Sequence, residues 1–247
     1  SGLIIDNIVV ENVGRGLLLV GSSVNMNSVE VRHCAFGMHI GNNSSGSASN
    51  CNAHHCGEFG MLLTLASPTF TINNSNISNN TCGIGVDYGS QSVNVESCTF
   101  NDNIYSGIQY ASGSMGIIRC CFIEGSRGGV LVANSSTVEI IETVILPAAT
   151  WGMDIYNYST VTGRGNIIHG SGAYPAIRLG ASSIIMSESH ILRSEGLAVD
   201  TIAGPGYVFD LRNNYWGTAN ADEIAAMIWD AADDPNNGTY VQYIPFY

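Results

Sequence analysis

The sequence predicts an all-β chain that winds into a right-handed parallel β-helix, or solenoid, of about ten coils and ends in a short capping α-helix. The first observation behind this prediction is a four-residue motif: a small residue, then an apolar, a variable and an apolar residue. It recurs every 20 to 24 residues, a spacing typical of repeat architectures. The motifs begin at Gly16, Gly37, Gly60, Gly83, Gly107, Gly129, Gly152, Ala176 and Gly196.

The second observation is the alternation inside each motif. The second and fourth residues are apolar in every copy, counting Tyr110, whereas the third varies. A strand with one buried face has this pattern. One short strand cannot bury its own apolar face, so the copies are expected to stack along one axis. A regular leucine frame and a six-residue period are both absent, which excludes leucine-rich and left-handed hexapeptide solenoids and leaves the right-handed parallel β-helix.

The third observation is a column of mostly small or polar residues nine positions before each motif. Such residues can face inward at a turn and pass hydrogen bonds from coil to coil. Cys98 and Cys120 fall in this column in adjacent coils, which predicts stacked thiols or, alternatively, a disulfide. The total of seven cysteines is odd, so complete internal pairing is impossible and the cysteines do not settle the compartment.

The period stops near residue 218, and the sequence then predicts a cap. Asn220 and Glu223 can begin a helix, and apolar residues follow at helical spacing over 221–231. We expect Trp216 and Trp229 to pack over the last coil. The chain is thus interpreted as one domain, with coils over 1–218 and a cap, helix plus extended tail, over 219–247.

Composition narrows the possible functions. The chain has eight Arg, no Lys and a net charge of −12, which argues against nucleic-acid binding. No apolar stretch approaches 18 residues, so no membrane span is predicted. No motif indicates a cofactor. The chain begins at Ser1 inside the first coil, from which we expect it to be part of a longer protein.

The C-terminal segment carries the most specific resemblance. It is similar to the cap of many bacterial secreted and cell-surface β-helix proteins, and the coils resemble the pectate-lyase-like superfamily. The matching motifs are Asn213-Asn214-Tyr215-Trp216-Gly217-Thr218, Asp233-Asp234-Pro235 and Val241-x-Tyr243-x-Pro245-Phe246. The resemblance implies the fold and an extracellular or cell-surface location. It leaves the activity open, because the superfamily mixes lyases, hydrolases, epimerases, tailspikes and adhesins.

The catalytic motifs of these families are missing from the chain. No Asp directly precedes any of the nine motifs, as the polygalacturonase-like hydrolases would require, and their Arg-x-Lys cannot occur without Lys. The Arg-Pro-rich motif of pectate lyases and the Asp-Pro-His-Asp of mannuronan epimerases are also absent. These absences make an enzyme the second hypothesis.

The variable third position of the motif should lie on the outer face of the longest strand, where clefts of this superfamily lie. Asp154 and Arg178 occupy it in consecutive coils, and we expect Asp154 to point outward and to pair with Arg178. With nearby aromatic residues they suit a sugar, whose rings have apolar faces and hydroxyl rims; the alternative is a surface ion pair with aromatics bracing loops. The substrate-binding candidates are Tyr105, Gln109, Trp151, Asp154, Tyr156, Tyr174 and Arg178. Asp154 and Arg178 are also the weak catalytic candidates.

A metal site is a further hypothesis, because His33-Cys34 and His55-Cys56 fall at nearly the same place in adjacent coils. Two imidazoles and two thiolates can hold zinc in a tetrahedron. Neighbouring residues on a strand point to opposite faces, so the four groups converge only if a turn lies there. The alternative is a stack of thiols beside an exposed pair of histidines.

These observations favour a secreted or cell-surface β-helix module with a structural or polysaccharide-binding role and a polysaccharide or cell-surface glycan as its partner. The alternative is a carbohydrate-active enzyme, a lyase, hydrolase or epimerase, with an unfamiliar site.

Overall fold

The computed structural model describes residues 2–65, 69–202, 206–234 and 236–247. These residues form a parallel β-solenoid of about nine turns with one short helix near the C-terminus. The predicted fold class is therefore confirmed, and the expected number of coils is close. A coil adds one strand to each of three sheets, here named A, B and C in the order in which the chain meets them, and every pairing between strands is parallel.

The three sheets contain all the strands of the described residues. Sheet A comprises Leu3–Asp6, Ser23–Asn27, Ser45–Ser49, Phe70–Asn73, Val93–Glu96, Met115–Arg119, Thr137–Ile141, Thr160–Arg164, Ser183–Ser187, Val208–Asp210 and Tyr240–Gln242. Sheet B comprises Val9–Glu11, Glu30–Arg32, Asn52–His54, Asn76–Ser78, Thr99–Asn101, Phe122–Glu124, Val144–Leu146, Ile167–His169 and His190–Leu192. Sheet C comprises Arg15–Val20, Phe36–Gly41, Phe59–Thr64, Cys82–Asp87, Ser106–Tyr110, Gly128–Val132, Met153–Ile155, Ile177–Leu179, Val199–Thr201 and Ile228–Trp229.

A single residue in the left-handed conformation turns the chain from sheet A to sheet B. We call this position the corner. Its φ lies between 46° and 67° in successive coils, a region that costs a non-glycine residue about 1–2 kcal/mol. The corner residues are Asn7, Ser28, Asn50, Asn74, Ser97, Cys120, Glu142, Gly165, Glu188 and Asn213.

The residue after the corner points into the core, and this corrects the predicted cysteine column. Thr99 pairs with Phe122, so the residue stacked on Cys98 is Cys121. Both thiols are buried and donate to backbone carbonyl oxygens, that of Cys98 to Glu96 and that of Cys121 to Arg119. Cys120 occupies the corner and is exposed. All seven cysteines are free thiols. A count of nine residues from the motif mixes the corner with the inward column, because the connection to the motif varies in length.

The register confirms eight of the nine motifs and moves the last. Ile177 pairs with Val199 and Arg178 pairs with Asp200, so the ninth motif begins at Ala198 and not at Gly196. The run Gly196-Leu197-Ala198-Val199 also fits the motif pattern, whereas the true motif has the polar Thr201 at its fourth position. Gly196 instead packs against Ala173. The inward positions of the motif fill the core, and Met153 and Ile155 are fully buried as expected.

The C-terminal segment differs from the prediction in two ways. Asn220 begins the helix and accepts hydrogen bonds from the backbone N–H of Asp222 and Glu223, but the helix covers only Ala221–Ala225. Ile228–Trp229 is then the last strand of sheet C. Strand alternation buries Ile228 and exposes 43% of Trp229, so only Trp216 packs over the last coil as expected. Pro235 of the cap motif lies outside the described residues.

The helix content bears on one further expectation. No helix in the described part of the chain is long and apolar enough to cross a membrane.

At the corner, glycine should be tolerated better than a β-branched residue, which is the reverse of the order expected in a strand. At Glu142, with φ of 49°, Glu142→Gly should be at least as stable as the parent, and Glu142→Val should lose about 1–2 kcal/mol. Glu139, three residues earlier in a strand of sheet A, is the control: there Val should be tolerated and Gly should be the destabilising change. Urea denaturation measures all four variants, and the same order of Gly and Val at both positions would contradict the assignment.

Candidate functional site

A row of three charged side chains, Asp154, Arg178 and Asp200, crosses the outer face of sheet C in the C-terminal half of the solenoid. Asp154 is in register with Arg178, and Arg178 with Asp200, so consecutive coils place them about 4.8 Å apart. Arg178 Nε donates to Asp154 Oδ1 at 2.9 Å, and Nη2 donates to Oδ2. The expected pairing is present and is bidentate, the strongest arrangement of this pair.

Asp154 does not lie on the open surface, which corrects the expected exposure. Its side chain is 2% exposed, whereas that of Arg178 is 37% exposed. Leu131 and Arg178 are its neighbours in the row, and Trp151 and Tyr156 of its own coil pack beside Leu131. The residue therefore points away from the core, as alternation requires, but lies under other side chains.

An aromatic platform stands beside this row. The ring of Trp151 lies over Gly128 of the preceding coil, where a Cβ would come within 2.6 Å of Trp151 Cη2. Glycine is thus required below the indole because of this close approach. The Tyr105 ring meets Trp151 edge to face, with 6.4 Å between centroids and an interplanar angle of 81°. Such pairs add about 0.5–1.5 kcal/mol beyond the area they bury.

A cavity of about 250 Å³ opens between the platform and the charged row. Four of the predicted binding residues line it: Tyr105, Trp151, Tyr174 and Arg178. Three do not. Asp154 lies under other side chains and does not reach the cavity. Gln109 is half-buried in sheet C between Gly85 and Leu131, and Tyr156 packs against the cluster of Leu131, Ala133 and Trp151.

Two further residues, Arg127 and Thr150, line the cavity and were not predicted from the sequence. Thr150 donates to the backbone O of Arg127 through both its backbone N, at 2.8 Å, and its Oγ1, at 2.7 Å, which holds the two loops together. Arg127 is exposed, and no carboxylate of the described residues lies within 4 Å of its guanidinium. In the sequence, the feature that could have identified this residue is a cation, Arg127, directly before two glycines, Gly128 and Gly129.

Asp200 was not predicted from the sequence either. With the ninth motif placed at Gly196, Asp200 did not fall at the position that pairs with Arg178. Burial raises the pKa of the Asp200 carboxyl above its usual range, and Arg178 opposes that rise. The hydrogen bond that Arg178 donates to Asp154 raises the pKa of Arg178, so this guanidinium stays charged. The row thus holds one tightly paired carboxylate, one cation and one half-buried acid.

The metal candidates are not brought together. The thiols of Cys34 and Cys56 are buried and donate to the carbonyl oxygens of Arg32 and His54. His33 and His55 are exposed, and their rings lie 5.2 Å apart outside the coil. Among the residues that the structure describes, no three His, Cys, Asp or Glu side chains are arranged to hold a metal ion.

The geometry suits binding better than bond breaking. Both oxygens of Asp154 are held by Arg178, and the carboxylate has no open path to the cavity. A general base must reach the proton that it removes, which Asp154 does not do here. The accessible groups are aromatic rings, the Thr150 hydroxyl and two guanidinium groups, which together can hold a flat apolar face and an anionic group.

The buried ion pair predicts unequal single variants. Arg178→Met should lower the free energy of unfolding by about 2–4 kcal/mol, because it leaves a buried carboxylate without its partner. Asp154→Leu should cost less, because Arg178 can reach water. Arg178→Met combined with Asp154→Leu should recover most of the loss. A double-mutant cycle by urea denaturation measures this, and additive single effects would contradict it.

The Asp200 carboxyl predicts a pH-dependent stability. Its pKa is raised in the folded state, so folding disfavours the charged form and stability is lost as pH rises through the folded-state pKa. Asp200→Asn should therefore raise Tm at pH 7 by a few degrees at most, and the gain should vanish below the ordinary pKa of 3.8.

Asp210 is the matched control, because the Arg212 hydrogen bond lowers its pKa. Asp210→Asn should lower Tm slightly at pH 7, and the difference should disappear as pH falls through the folded-state pKa. Differential scanning calorimetry from pH 3 to 8 reads both variants, and shifts of one sign would count against the prediction.

The comparisons with known proteins support the fold and indicate no activity or ligand. No curated protein and no solved structure matches the chain. The family described as "Right handed beta helix region" matches residues 1–145 and 106–220, and so most of the chain. The matches overlap in the central coils, as expected for a repeat that can be aligned in more than one register. The chain therefore belongs to the right-handed β-helix region family.

Proposed function

We propose that this chain is a β-helix module of a secreted or cell-surface protein and that it binds an acidic polysaccharide in the cavity on sheet C. The observation that carries this proposal is Arg127, an exposed cation without a carboxylate partner among the described residues, on the wall of an aromatic cavity. Arg178 is already neutralised by Asp154, so Arg127 is the group free to meet a ligand carboxylate or sulfate.

The aromatic walls support a sugar as the carrier of that anionic group. Tyr105 and Tyr174 are 47% and 49% exposed, and both line the cavity beside Trp151. Sugar rings present C–H faces that pack on aromatic rings and hydroxyl rims that hydrogen-bond to Thr150 and to guanidinium groups. A small apolar ligand would leave the Arg127 guanidinium without a partner.

The location outside the cell rests on the resemblance of the C-terminal segment and on composition. Charged residues make up only 11% of the chain, and Gly, Ser or Asn occupies seven of the ten corners. A nucleic acid is not supported as the anionic partner, because its closely spaced phosphates call for a basic stripe and the cavity offers a single free arginine.

A carbohydrate-active enzyme is the second candidate, and Asp200 is the observation in its favour. A half-buried acid with a raised pKa next to an arginine is the environment that enzymes use for proton transfer. Asp200 lies on the far side of Arg178 from Asp154 and does not line the cavity, so it supports this candidate less than Arg127 supports binding.

The proposal is tested with acidic and neutral polysaccharides in affinity electrophoresis and isothermal titration. We expect an acidic chain to bind, and Arg127→Ala to weaken it about 10–100-fold, because a charge-assisted hydrogen bond contributes about 1.5–3 kcal/mol. Tyr174→Ala should also weaken it. Arg164→Ala, which removes an equally exposed arginine from sheet A, is the control.

Equal affinities of the Arg127→Ala and Arg164→Ala variants, at unchanged Tm, would refute the location of the site. Binding of no acidic polysaccharide would refute the function. New reducing ends or unsaturated products in the same incubations would favour the enzyme, provided that Asp200→Asn abolishes them.

A further inference from the structure

A second concave surface lies on the opposite side of the solenoid, on the outer face of sheet A. It is a groove of about 410 Å³ whose lining extends from Thr69 to Thr162. Thr69, Ser92, Met115, Thr137 and Thr160 stack in successive coils, so the groove crosses five coils and is about 19 Å long. It runs parallel to the solenoid axis, in contrast to the compact cavity on sheet C.

Two rows of outward side chains form the groove. One row contains Met115 and Thr137, and the other contains Asn94, Ile117, Glu139 and Thr162, with the Gly116 backbone between them. Met115 is 43% exposed, and Ile117 and Glu139 are half-buried. The centre of the groove thus combines the apolar Met115 and Ile117 with the carboxylate of Glu139, and hydroxyl and amide groups surround it.

From this geometry we infer that the groove binds an extended, uncharged, hydroxyl-rich polymer, namely a neutral linear polysaccharide. The length and the open course along five coils suit a linear chain and not a compact molecule. The thioether of Met115 and the Ile117 side chain can receive the apolar face of a sugar ring. Thr137, Thr162 and Asn94 can hydrogen-bond to the hydroxyl groups at its edge.

Charge separates this groove from the cavity on sheet C. Glu139 is the one charged residue of the lining, so an anionic chain meets repulsion at the centre. Arg119 and Arg164 belong to the next outward row of sheet A and do not line the groove. The two faces therefore differ in the class of chain they select: acidic on sheet C, neutral on sheet A.

An extended peptide is the competing occupant, and the strand pairing argues against it. A peptide strand joins a sheet by hydrogen bonding to a free edge. The groove lies on the face of sheet A, where each strand between Phe70–Asn73 and Thr160–Arg164 is already paired on both sides. Recognition on this face has to come from the side chains of the groove, because no free strand edge is present for the backbone of a peptide to pair with.

The methionines provide a direct readout. Six of the seven are buried, and Met115 alone is exposed. With methyl-¹³C methionine, addition of cellohexaose, xylohexaose or mannohexaose should shift the Met115 methyl resonance while that of Met227, in the cap, stays in place. If none of the three sugars at millimolar concentration moves the Met115 resonance, the inference is wrong. It is also wrong if an uncharged Ser/Thr-rich peptide moves the resonance and the sugars do not.

Two matched variants separate this groove from the site on sheet C. Ile117→Ser should weaken hexasaccharide binding at least 10-fold, whereas Ile185→Ser, the same change further along the same row and outside the groove, should stay within 2-fold. Arg127→Ala should leave this binding unchanged. If Arg127→Ala weakens the hexasaccharide and Ile117→Ser does not, the neutral sugar binds on sheet C and the groove is refuted. The acidic ligand of the proposed function is tested separately, so either proposal can fail alone.

Discussion

The fold depends on one constraint: the strands of every coil pair only with strands of the coil before it and the coil after it. A change of backbone course in one coil must therefore be matched by its neighbours, or the pairing in all three sheets is lost. The left-handed corner is the clearest consequence. Residues as different as Asn74, Cys120 and Glu142 adopt the same φ there, because the sheets on either side fix the direction of the chain and the residue type adjusts to it. The cost at each corner is offset by strand pairing and by side chains such as Asn166, whose Oδ1 accepts from the backbone N of Thr143 at 3.0 Å.

The same constraint explains why the fold could be predicted from the sequence. A Cβ on Gly37 would lie 2.2 Å from the carbonyl oxygen of Gly60 in the next coil, so the motif keeps a small residue at its first position. Register is less visible. Ser97 precedes its motif glycine, Gly107, by ten residues, whereas Cys120 precedes Gly129 by nine, so a fixed count slips by one residue. This slip misplaced the thiol column, and the motif-like run that begins at Gly196 concealed the register of Asp200 with Arg178.

The candidate site could be predicted only in part, because its cover comes from loops and not from the repeat. The motif placed Asp154 and Arg178 in adjacent coils, and strand register brought them together as expected. The burial of Asp154 depends on Trp151, which lies just outside the strand. The indole can lie over Gly128 only because that residue has no side chain. Arg127 joins the cavity through the hydrogen bonds of Thr150 to its carbonyl oxygen, and both residues lie in connections before the motif, outside the repeated positions. Side chains set by the repeat were predictable, and those set by the connections were not.

Charge acts on this molecule at two length scales, and they oppose each other on sheet C. The net charge of −12 repels an acidic polymer at distances of about a Debye length, 8–10 Å in ordinary salt. Arg127 attracts the same polymer only at contact, where its guanidinium can bond to a carboxylate directly. Salt screens the first effect more than the second, so the long-range field slows encounter while the contact selects the ligand. On sheet A no such opposition arises, because the net charge does not repel a neutral chain. Selection there depends on the spacing of Met115, Thr137 and Thr162 along the solenoid axis.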